Sequence, residues 1–208
     1  MPPPPIDPNA VFLNIPYDDE FRSLYVAYVV GLYRLGYTPH LASEIPGGTR
    51  RLDRILALIQ SCRYSIHDLS RVELTSAPLS TPRFNMPLEL GMTIAWTHLN
   101  PDLHTWFVWE ASRDRIERSA SDLKGTDPNI HQNTVQGVLS EIRSVFWHKD
   151  APSVQEMKKM HGFVESGLQS YILPRAGSND AFAPSAFREL CWLTSSLTEL
   201  SAYSRRKT

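Results

Sequence analysis

Short apolar runs alternate with segments of helical periodicity along the first 150 residues, and this alternation constrains the fold more than any other feature of the chain. Four runs have the composition of strands: AVFLNI (10–15), YTPHLA (37–42), YSIHDL (64–69) and LHTWFVW (103–109). Helices are predicted between and after these runs, at 21–36, 51–62, 84–99, about 112–122 and 134–147. Strands that alternate with helices predict an α/β domain, with a central parallel sheet of about five strands and helices on both faces.

The chain is expected to divide into three parts. Residues 1–9, MPPPPIDPN, predict a flexible Pro-rich tail, because proline lacks the backbone N–H and fixes φ. Residues 10–150 hold the α/β domain. Residues 151–208 have apolar side chains at helical spacing on both sides of the polar linker RAGSND (175–180). We expect a helical extension there that packs on the domain or on a partner subunit.

Charge and cysteine content exclude several classes of protein. Lys and Arg number 21 and Asp and Glu 22, so the net charge is −1 and direct binding to nucleic acid is not expected. No apolar run reaches the roughly 18 residues of a membrane span, so no contact with a membrane is expected. Cys62 and Cys191 lack the spacing of metal ligands, and no metal site is predicted. So few cysteines favour a reducing, cytoplasmic location.

Polar side chains follow the first and third predicted strands and also open the helix that precedes the fourth. The three segments are NIPYDDEF (14–21), SIHDLSR (65–71) and RFNMPLELG (83–91). In an open parallel sheet, ligands bind beyond the carboxyl ends of the strands, where the strand order reverses. We therefore expect these three segments to converge on one ligand site.

Glu89 is the most informative residue of these segments. A carboxylate near a helix N-terminus is favoured in its anionic form by about 0.3–1 kcal/mol. An anion facing a pocket can attack or stabilise a sugar carbon that is losing its base. Gly91 leaves the neighbouring surface open for close approach. The alternative is a structural role: if Met86 is the N-cap, Glu89 occupies the position from which glutamate commonly caps a helix.

The other acids also have two interpretations each. Asp18 and Asp19 either bind sugar hydroxyls and assist the departing base, or cap the helix that follows them. His67 and Asp68 either contact the ligand, or Asp68 only satisfies backbone N–H groups of the turn. A catalytic triad through Ser70 is not favoured, because the chain has no G-x-S-x-G segment.

Arginines are frequent near the predicted ligand site. They are Arg50, Arg51, Arg54, Arg71 and Arg83. The planar guanidinium binds phosphate through two hydrogen bonds, so a phosphorylated ligand suits these residues better than a bare nucleoside. Arg50, Arg51 and Arg54 could equally form a solvated helix face.

A strand that ends in N-x-P, the segment HDLSR and the segment NMPLELGM together resemble nucleoside 2-deoxyribosyltransferase-like proteins. The arrangement is also similar to Toll/interleukin-receptor domains that cleave the nicotinamide–ribose bond of NAD. Both resemblances imply a flavodoxin-like three-layer sandwich over residues 10–150. They also imply that Glu89, within Met86–Gly91, is the nucleophile. Phe84 to Pro87 depart from the acidic and small residues that the transferases usually carry there, which places transfer between bases in question.

The resemblance implies an N-glycosidase that cleaves the base–sugar bond of a nucleotide-type ligand, with NAD among its candidate substrates and no cofactor required. It also implies a homo-oligomer and a role in antiviral defence. Glu89, Asp18 and Asp19 are the expected catalytic residues. The expected ligand-binding residues are Asn14, Pro16, Tyr17, His67, Asp68, Ser70, Arg71, Arg83, Phe84, Asn85 and Met86.

The competing interpretation is a non-catalytic module that senses a nucleotide or resembles a phospho-receiver domain. A receiver carries paired acids after its first strand and an aspartate after its third, which Asp18, Asp19 and Asp68 match. It also needs a lysine after its last strand, and Lys124 and Lys149 are the candidates.

Overall fold

The computed structural model describes residues 5–44, 50–72, 82–113, 115–116, 123–177 and 179–205. Three sequence-based predictions fall wholly or partly outside these residues. They are the tail over residues 1–4, the loop at Gly47 and Gly48, and most of the helix expected at about 112–122.

The core of the fold is a five-stranded sheet, which confirms the predicted α/β class. Its strands are β1 (Asp7–Asn14), β2 (Thr38–His40), β3 (Cys62–Asp68), β4 (Thr105–Glu110) and β5 (Asn129–Ile130). Their order across the sheet is β2-β1-β3-β4-β5, and β1–β3, β3–β4 and β4–β5 pair in parallel. This order is the flavodoxin-like one, in which the direction of winding reverses between β1 and β3.

The first strand begins earlier than its apolar run suggests. Asp7, Pro8 and Asn9, which the sequence assigned to a tail, are part of β1. Proline is tolerated there because the pairing with β3 is irregular: Asp7 lies opposite Cys62 but Val11 lies opposite Tyr64, so the register shifts between them. The regular pairing ends with Asn14 opposite His67.

Tertiary contacts divide the chain into two compact units, which cut across the expected boundary at residue 150. The first unit comprises residues 1–16, 40–42 and 47–133, and the second comprises 17–39, 43–46 and 134–208. In the first unit, helix α2 (Arg51–Ser61) contacts β1 and β3, and helix α3 (Asn85–Leu99) contacts β1, β3 and β4. Met86 and Leu90 of α3 join Leu69 and Val108 in a buried apolar cluster.

The second unit is helical. Its elements are α1 (Arg22–Arg34), α4 (Val135–Val145), α5 (Val154–Gly167), a π-helical segment (Leu168–Ile172), α6 (Leu173–Ala176) and α7 (Pro184–Arg205). Helix α1 is apolar on all sides, and α4, α5 and α7 pack against it. The helices predicted beyond residue 150 are thus present, and they pack on a helix of the same chain. No helix among the described residues is long and apolar enough to cross a membrane.

Candidate functional site

The candidate site lies at the carboxyl ends of β1 and β3, within the first unit. Asn14 ends β1 and His67 is the penultimate residue of β3, and the two lie opposite each other in the sheet. This is the point where the strand order reverses, so it is where a fold of this class binds ligands. The start of α3 reaches the same place, because the Asn14 side-chain amide donates a hydrogen bond of 2.9 Å to the backbone oxygen of Met86.

Glu89 points inward from α3. The buried residues of this helix are Met86, Glu89, Leu90 and Thr93, so the carboxyl group shares its face with the apolar side chains that anchor the helix. Only 4% of the surface of Glu89 is exposed. By contrast, the large apolar side chains of Leu88 and Leu99 are exposed. The helix therefore buries Glu89 while it leaves two of its leucines exposed. Burial of an ionisable side chain in preference to apolar ones is typical of a functional carboxyl group.

The electrostatic environment of Glu89 differs from the expected one. Burial raises the pKa of Glu89 to about 7, against the opposing effects of the Arg51 cation and a hydrogen bond from Asn85. The expectation that the helix N-terminus holds this group anionic is therefore wrong in direction, because the loss of water outweighs the helix dipole and the nearby donors. Glu89 is poised between its acid and its anion at neutral pH.

The alternative structural role for Glu89 is also wrong. The N-cap of α3 is Phe84, not Met86, and helix α3 has no side-chain capping bond. Glu89 is thus the fifth residue of the helix, beyond the first turn whose N–H groups need a cap. Pro87 lies in that first turn, where its missing N–H is not needed. Gly91 has open space where a side chain would be, but it is exposed and lies two residues from Glu89, on the other side of the helix, so it does not open the surroundings of Glu89.

Asp68 is the last residue of β3, and its carboxylate is fully buried. One oxygen accepts a hydrogen bond of 3.0 Å from the backbone N–H of Ser70, as the turn interpretation predicted. The other oxygen lies 3.4 Å from Nε2 of His131, which follows β5 and is itself fully buried. The second ring nitrogen of His131 accepts the Asn133 N–H at 3.1 Å, so the imidazole must carry its hydrogen on Nε2, towards Asp68.

Glu110 is the second buried acid at this edge of the sheet. It ends β4, and its Oε2 accepts hydrogen bonds of 3.1 Å from the Ala111 N–H and from Nε of Arg115. Burial raises the pKa of Glu110; Arg115 opposes this rise, while Asp68 adds to it. Its Oε1 is buried and finds no hydrogen-bond partner among the described residues. Asp68, Glu110 and His131 thus form one polar cluster at the ends of β3, β4 and β5.

His67 does not contact solvent, contrary to its expected role as a ligand-binding residue. It is fully buried, and both ring nitrogens have hydrogen-bond partners inside the protein: Asn14 at 3.0 Å and Ser65 at 3.0 Å. Burial lowers the pKa of His67 to about 3, with His104 contributing, so the ring is neutral. The structure makes His67 a support for Asn14.

Several of the other predicted residues have structural positions that the sequence did not reveal. Met86 is buried in the apolar cluster, so only its backbone faces Asn14. Phe84 and Asn85 are exposed at the start of α3, whereas Pro16 and Ser70 are buried. The Ser70 hydroxyl makes no hydrogen bond within the part of the chain that is described.

The residues predicted after β1 belong to the helical unit. Asp18 accepts a hydrogen bond of 3.0 Å from the Phe21 N–H and caps a 3-10 turn, which confirms the capping interpretation for this residue. Asp19 is exposed and lies 3.9 Å from Arg22. Tyr17 stacks on Phe182 with a ring separation of 5.0 Å. Their expected contacts with a ligand remain predictions.

Of the arginines, Arg51 is the one that acts electrostatically on Glu89, from the exposed first turn of α2. Arg71 and Arg83 flank the segment 73–81, and the backbone N–H of Arg83 bonds to the Val72 carbonyl at 3.1 Å. Both side chains are partly exposed, as residues that bind a phosphate must be.

Sequence reasoning missed Glu110, Arg115 and His131. Glu110 could have been found, because it ends the apolar run TWFVWE and so falls under the same carboxyl-end rule that identified Asp68. His131 could not, because β5 is only two residues long and leaves no apolar run to recognise. Within the described ranges, no group of three or more His, Cys, Asp or Glu side chains is arranged to hold a metal ion.

Comparisons with known proteins add no family to this description. No protein-family model matches the chain, and no curated protein or solved structure matches it either.

Proposed function

We propose that the protein is an N-glycosidase that cleaves the base–sugar bond of a nucleotide-type ligand, with Glu89 acting on the sugar. The candidate substrates are NAD and the nucleoside and deoxynucleoside monophosphates. One observation carries the proposal: Glu89 is a buried carboxyl group with a raised pKa beside the Arg51 cation, at the start of a helix that reaches the sheet's switch point.

The chemistry of glycosidic cleavage suits such a group. As the base departs with the bonding electrons, positive charge develops on C1′ of the sugar. A carboxylate in a site of low dielectric stabilises that charge more strongly than one in water does. The same burial makes the Glu89 carboxylate more basic, and hence a better nucleophile towards C1′. Water or a second acceptor then releases the sugar, so both hydrolysis and transfer are open to this site.

The remaining roles follow from the chemistry of the ligand. Arg71 or Arg83 is proposed to hold the phosphate, and Asp68 to anchor the ligand through the Ser70 turn whose N–H it fixes. Nicotinamide leaves NAD as a neutral molecule, so its departure needs no proton from the protein. A homo-oligomeric state and a role in antiviral defence remain proposals drawn from the resemblance, and a cytoplasmic location remains a proposal drawn from the low cysteine content.

The proposal is tested by incubating the protein with NAD and, separately, with each nucleoside monophosphate, and then measuring free base by chromatography. We expect base release from at least one of them, and we expect Glu89→Gln to reduce it by about 10³-fold or more, because an amide cannot act as the nucleophile. Glu199→Gln, at an exposed position of α7, is the matched control and should retain wild-type activity.

Two outcomes contradict the proposal. Absence of base release from every ligand excludes the enzyme, and tight binding without turnover would instead identify a nucleotide sensor. Full activity of Glu89→Gln would show that Glu89 is not the nucleophile. The receiver-like alternative requires a phosphoryl donor to reach Asp68, whose side chain is fully buried. Labelling of Asp68 by acetyl phosphate would restore that alternative.

A further inference from the structure

A buried hydrogen-bond chain runs from the start of β3 to the start of α3. It links the carbonyl oxygen of Cys62 to that of Met86 through four side chains: His104, Ser65, His67 and Asn14. The successive distances are 2.8, 2.8, 3.0, 3.0 and 2.9 Å. All four residues are buried and all lie in the first unit.

The direction of every bond in the buried hydrogen-bond chain follows from its two ends. A backbone carbonyl only accepts, so the Asn14 atom 2.9 Å from the Met86 oxygen must be the amide nitrogen. An amide nitrogen only donates, so Nδ1 of His67 must accept, and the hydrogen of this neutral ring lies on Nε2. That hydrogen is donated to Oγ of Ser65.

The other end requires the same direction. The Cys62 carbonyl accepts from Nδ1 of His104, so Nε2 of that neutral ring accepts the Ser65 hydroxyl hydrogen. Oγ of Ser65 therefore accepts a hydrogen bond from His67 and donates one to His104, so the two derivations agree. A second proton on either ring would place two donors face to face, and burial lowers the pKa of both histidines accordingly.

The consequence for Asn14 is that both of its amide hydrogens are used inside the protein. Its carbonyl oxygen, Oδ1, is the one polar atom of the side chain that is left to offer, and no donor among the described residues bonds to it. Asn14 is buried, with 4% of its surface exposed, and it ends β1 at the edge of the sheet where folds of this class bind ligands. Its bond to Met86 fixes it against the start of the helix that carries Glu89.

We propose that the buried hydrogen-bond chain makes Asn14 a specificity-determining residue, which accepts a hydrogen bond from a sugar hydroxyl of the ligand. The proposal rests on the proposed function, because the ligand is taken to be a nucleotide. An amide held in this orientation accepts from a hydroxyl or amino group and repels the oxygens of phosphate. The phosphate of the ligand therefore lies elsewhere, and we assign the sugar hydroxyl to Asn14 because Asn14 is bonded to the start of the helix that carries Glu89, the residue proposed to act on the sugar.

The first test concerns the direction of the buried hydrogen-bond chain and requires no ligand. Long-range ¹H–¹⁵N correlation spectra show which ring nitrogen of each histidine carries hydrogen. We expect Nε2–H for His67 and Nδ1–H for His104 in the wild-type protein at neutral pH. In Ser65→Ala, the Nε2–H group of His67 loses its acceptor, but the Asn14 amide still donates to Nδ1, so His67 should keep the Nε2–H tautomer. A wild-type spectrum with His67 protonated at Nδ1 overturns the proposal.

The second test concerns the ligand and uses calorimetric titration with AMP, 2′-deoxy-AMP and 3′-deoxy-AMP. We expect the wild-type protein to bind one deoxy form about 10-fold more weakly than AMP, the effect of leaving a buried acceptor unpaired. Asn14→Ala should bind AMP and that deoxy form with equal affinity. Ser65→Ala, which leaves the bond from Asn14 to Met86 in place, is the matched control and should retain the difference.

The outcomes separate this proposal from the proposed function. If the wild-type protein binds AMP and both deoxy forms equally, Asn14 does not select the sugar, whatever the fate of the enzyme proposal. If the histidine tautomers are as expected but none of the three nucleotides binds and no base is released from any substrate, the proposed function and the role of Asn14 towards it both fail. In that case only the assigned direction of the hydrogen bonds is retained.

Discussion

At the scale of single residues, the site is governed by the removal of water from groups that titrate. Burial acts in opposite directions on the two kinds of group: it raises the pKa of Glu89 to about 7 and lowers that of His67 to about 3. Both groups are therefore held towards their neutral forms. For His67 this preserves a hydrogen-bond acceptor towards Asn14, and for Glu89 it keeps a basic carboxyl group within reach of neutral pH.

The raised pKa of Glu89 predicts how activity depends on pH. If Glu89 is the nucleophile it must be ionised, so kcat/KM for base release should rise as the pH increases through about 7. Initial rates measured from about one pH unit below this value to one unit above it would show the rise. A fall over the same range would instead identify Glu89 as a general acid that protonates the departing base.

The same carboxyl group predicts a pH dependence of stability. Its folded pKa of about 7 exceeds the ordinary value of 4.5, so the stabilisation is present below pH 4.5 and is lost as the pH rises through 7. Glu89→Gln does not titrate. Its free energy of unfolding relative to wild type should therefore increase by about 2–3 kcal/mol between about pH 5 and about pH 8.

Urea denaturation of both proteins at the two pH values provides this measurement. Glu199→Gln serves as the control and should follow the wild-type pH dependence. An unchanged difference between Glu89→Gln and wild type would show that Glu89 is not held in a low-dielectric environment.

At the scale of elements, local sequence specified the helices well, but not which faces they bury. In α3 the large apolar side chains of Leu88 and Leu99 are exposed, whereas Glu89 is buried. The reason is that Met86 and Leu90 pack with Leu69 and Val108, and this contact sets the rotation of the helix. Helical periodicity gives the spacing of such residues, but the partner surface decides which stripe is used.

Helix α1 offers a test of how closely two elements approach. A Cβ added at Gly31 would lie 2.8 Å from Cδ1 of Ile142 and 3.3 Å from Cδ2 of Leu139, both on α4. Gly31→Ala should therefore lower the free energy of unfolding by about 1–2 kcal/mol, although alanine favours the helix. Gly162→Ala, on α5 with open space around it, should raise the free energy of unfolding by about 0.5–1 kcal/mol.

Thermal or urea denaturation of the two variants would check both signs. The steric cause is tested in an Ile142→Val background, which lacks Cδ1, where the cost of Gly31→Ala should decrease. Equal stabilisation by both alanine substitutions would show that α1 and α4 are not in close contact.

At the scale of the whole molecule, the described residues of the helical unit include several large apolar side chains that are exposed. They are Trp147, which follows α4, Phe163 on α5, Tyr171 in the π-helical segment, and Trp192, Leu200 and Tyr203 on α7. Exposed aromatic groups at this density are typical of interaction surfaces. The homo-oligomer implied by the resemblance stays a prediction.

We therefore expect the protein to self-associate, and Phe163→Glu together with Trp192→Glu to shift it towards monomer in sedimentation equilibrium. Both side chains are exposed, so the fold should be retained. Leu99→Glu is the matched control, since it changes an equally exposed apolar residue of α3 in the other unit. A monomeric wild-type protein would contradict the prediction, and loss of association in the control would place the interface on α3.

The sequence by itself determined the fold class, because the alternation of apolar runs and helical segments depends on neighbouring residues alone. It also placed Asp68 at the edge of the sheet, because the end of an apolar run marks the end of a strand. The tertiary structure alone decided the raised pKa of Glu89, the burial of His67 and the orientation of the Asn14 amide, which donates both of its hydrogen bonds inside the protein. These depend on distances between residues up to 72 positions apart and on the exclusion of water, and neither is encoded in a local pattern.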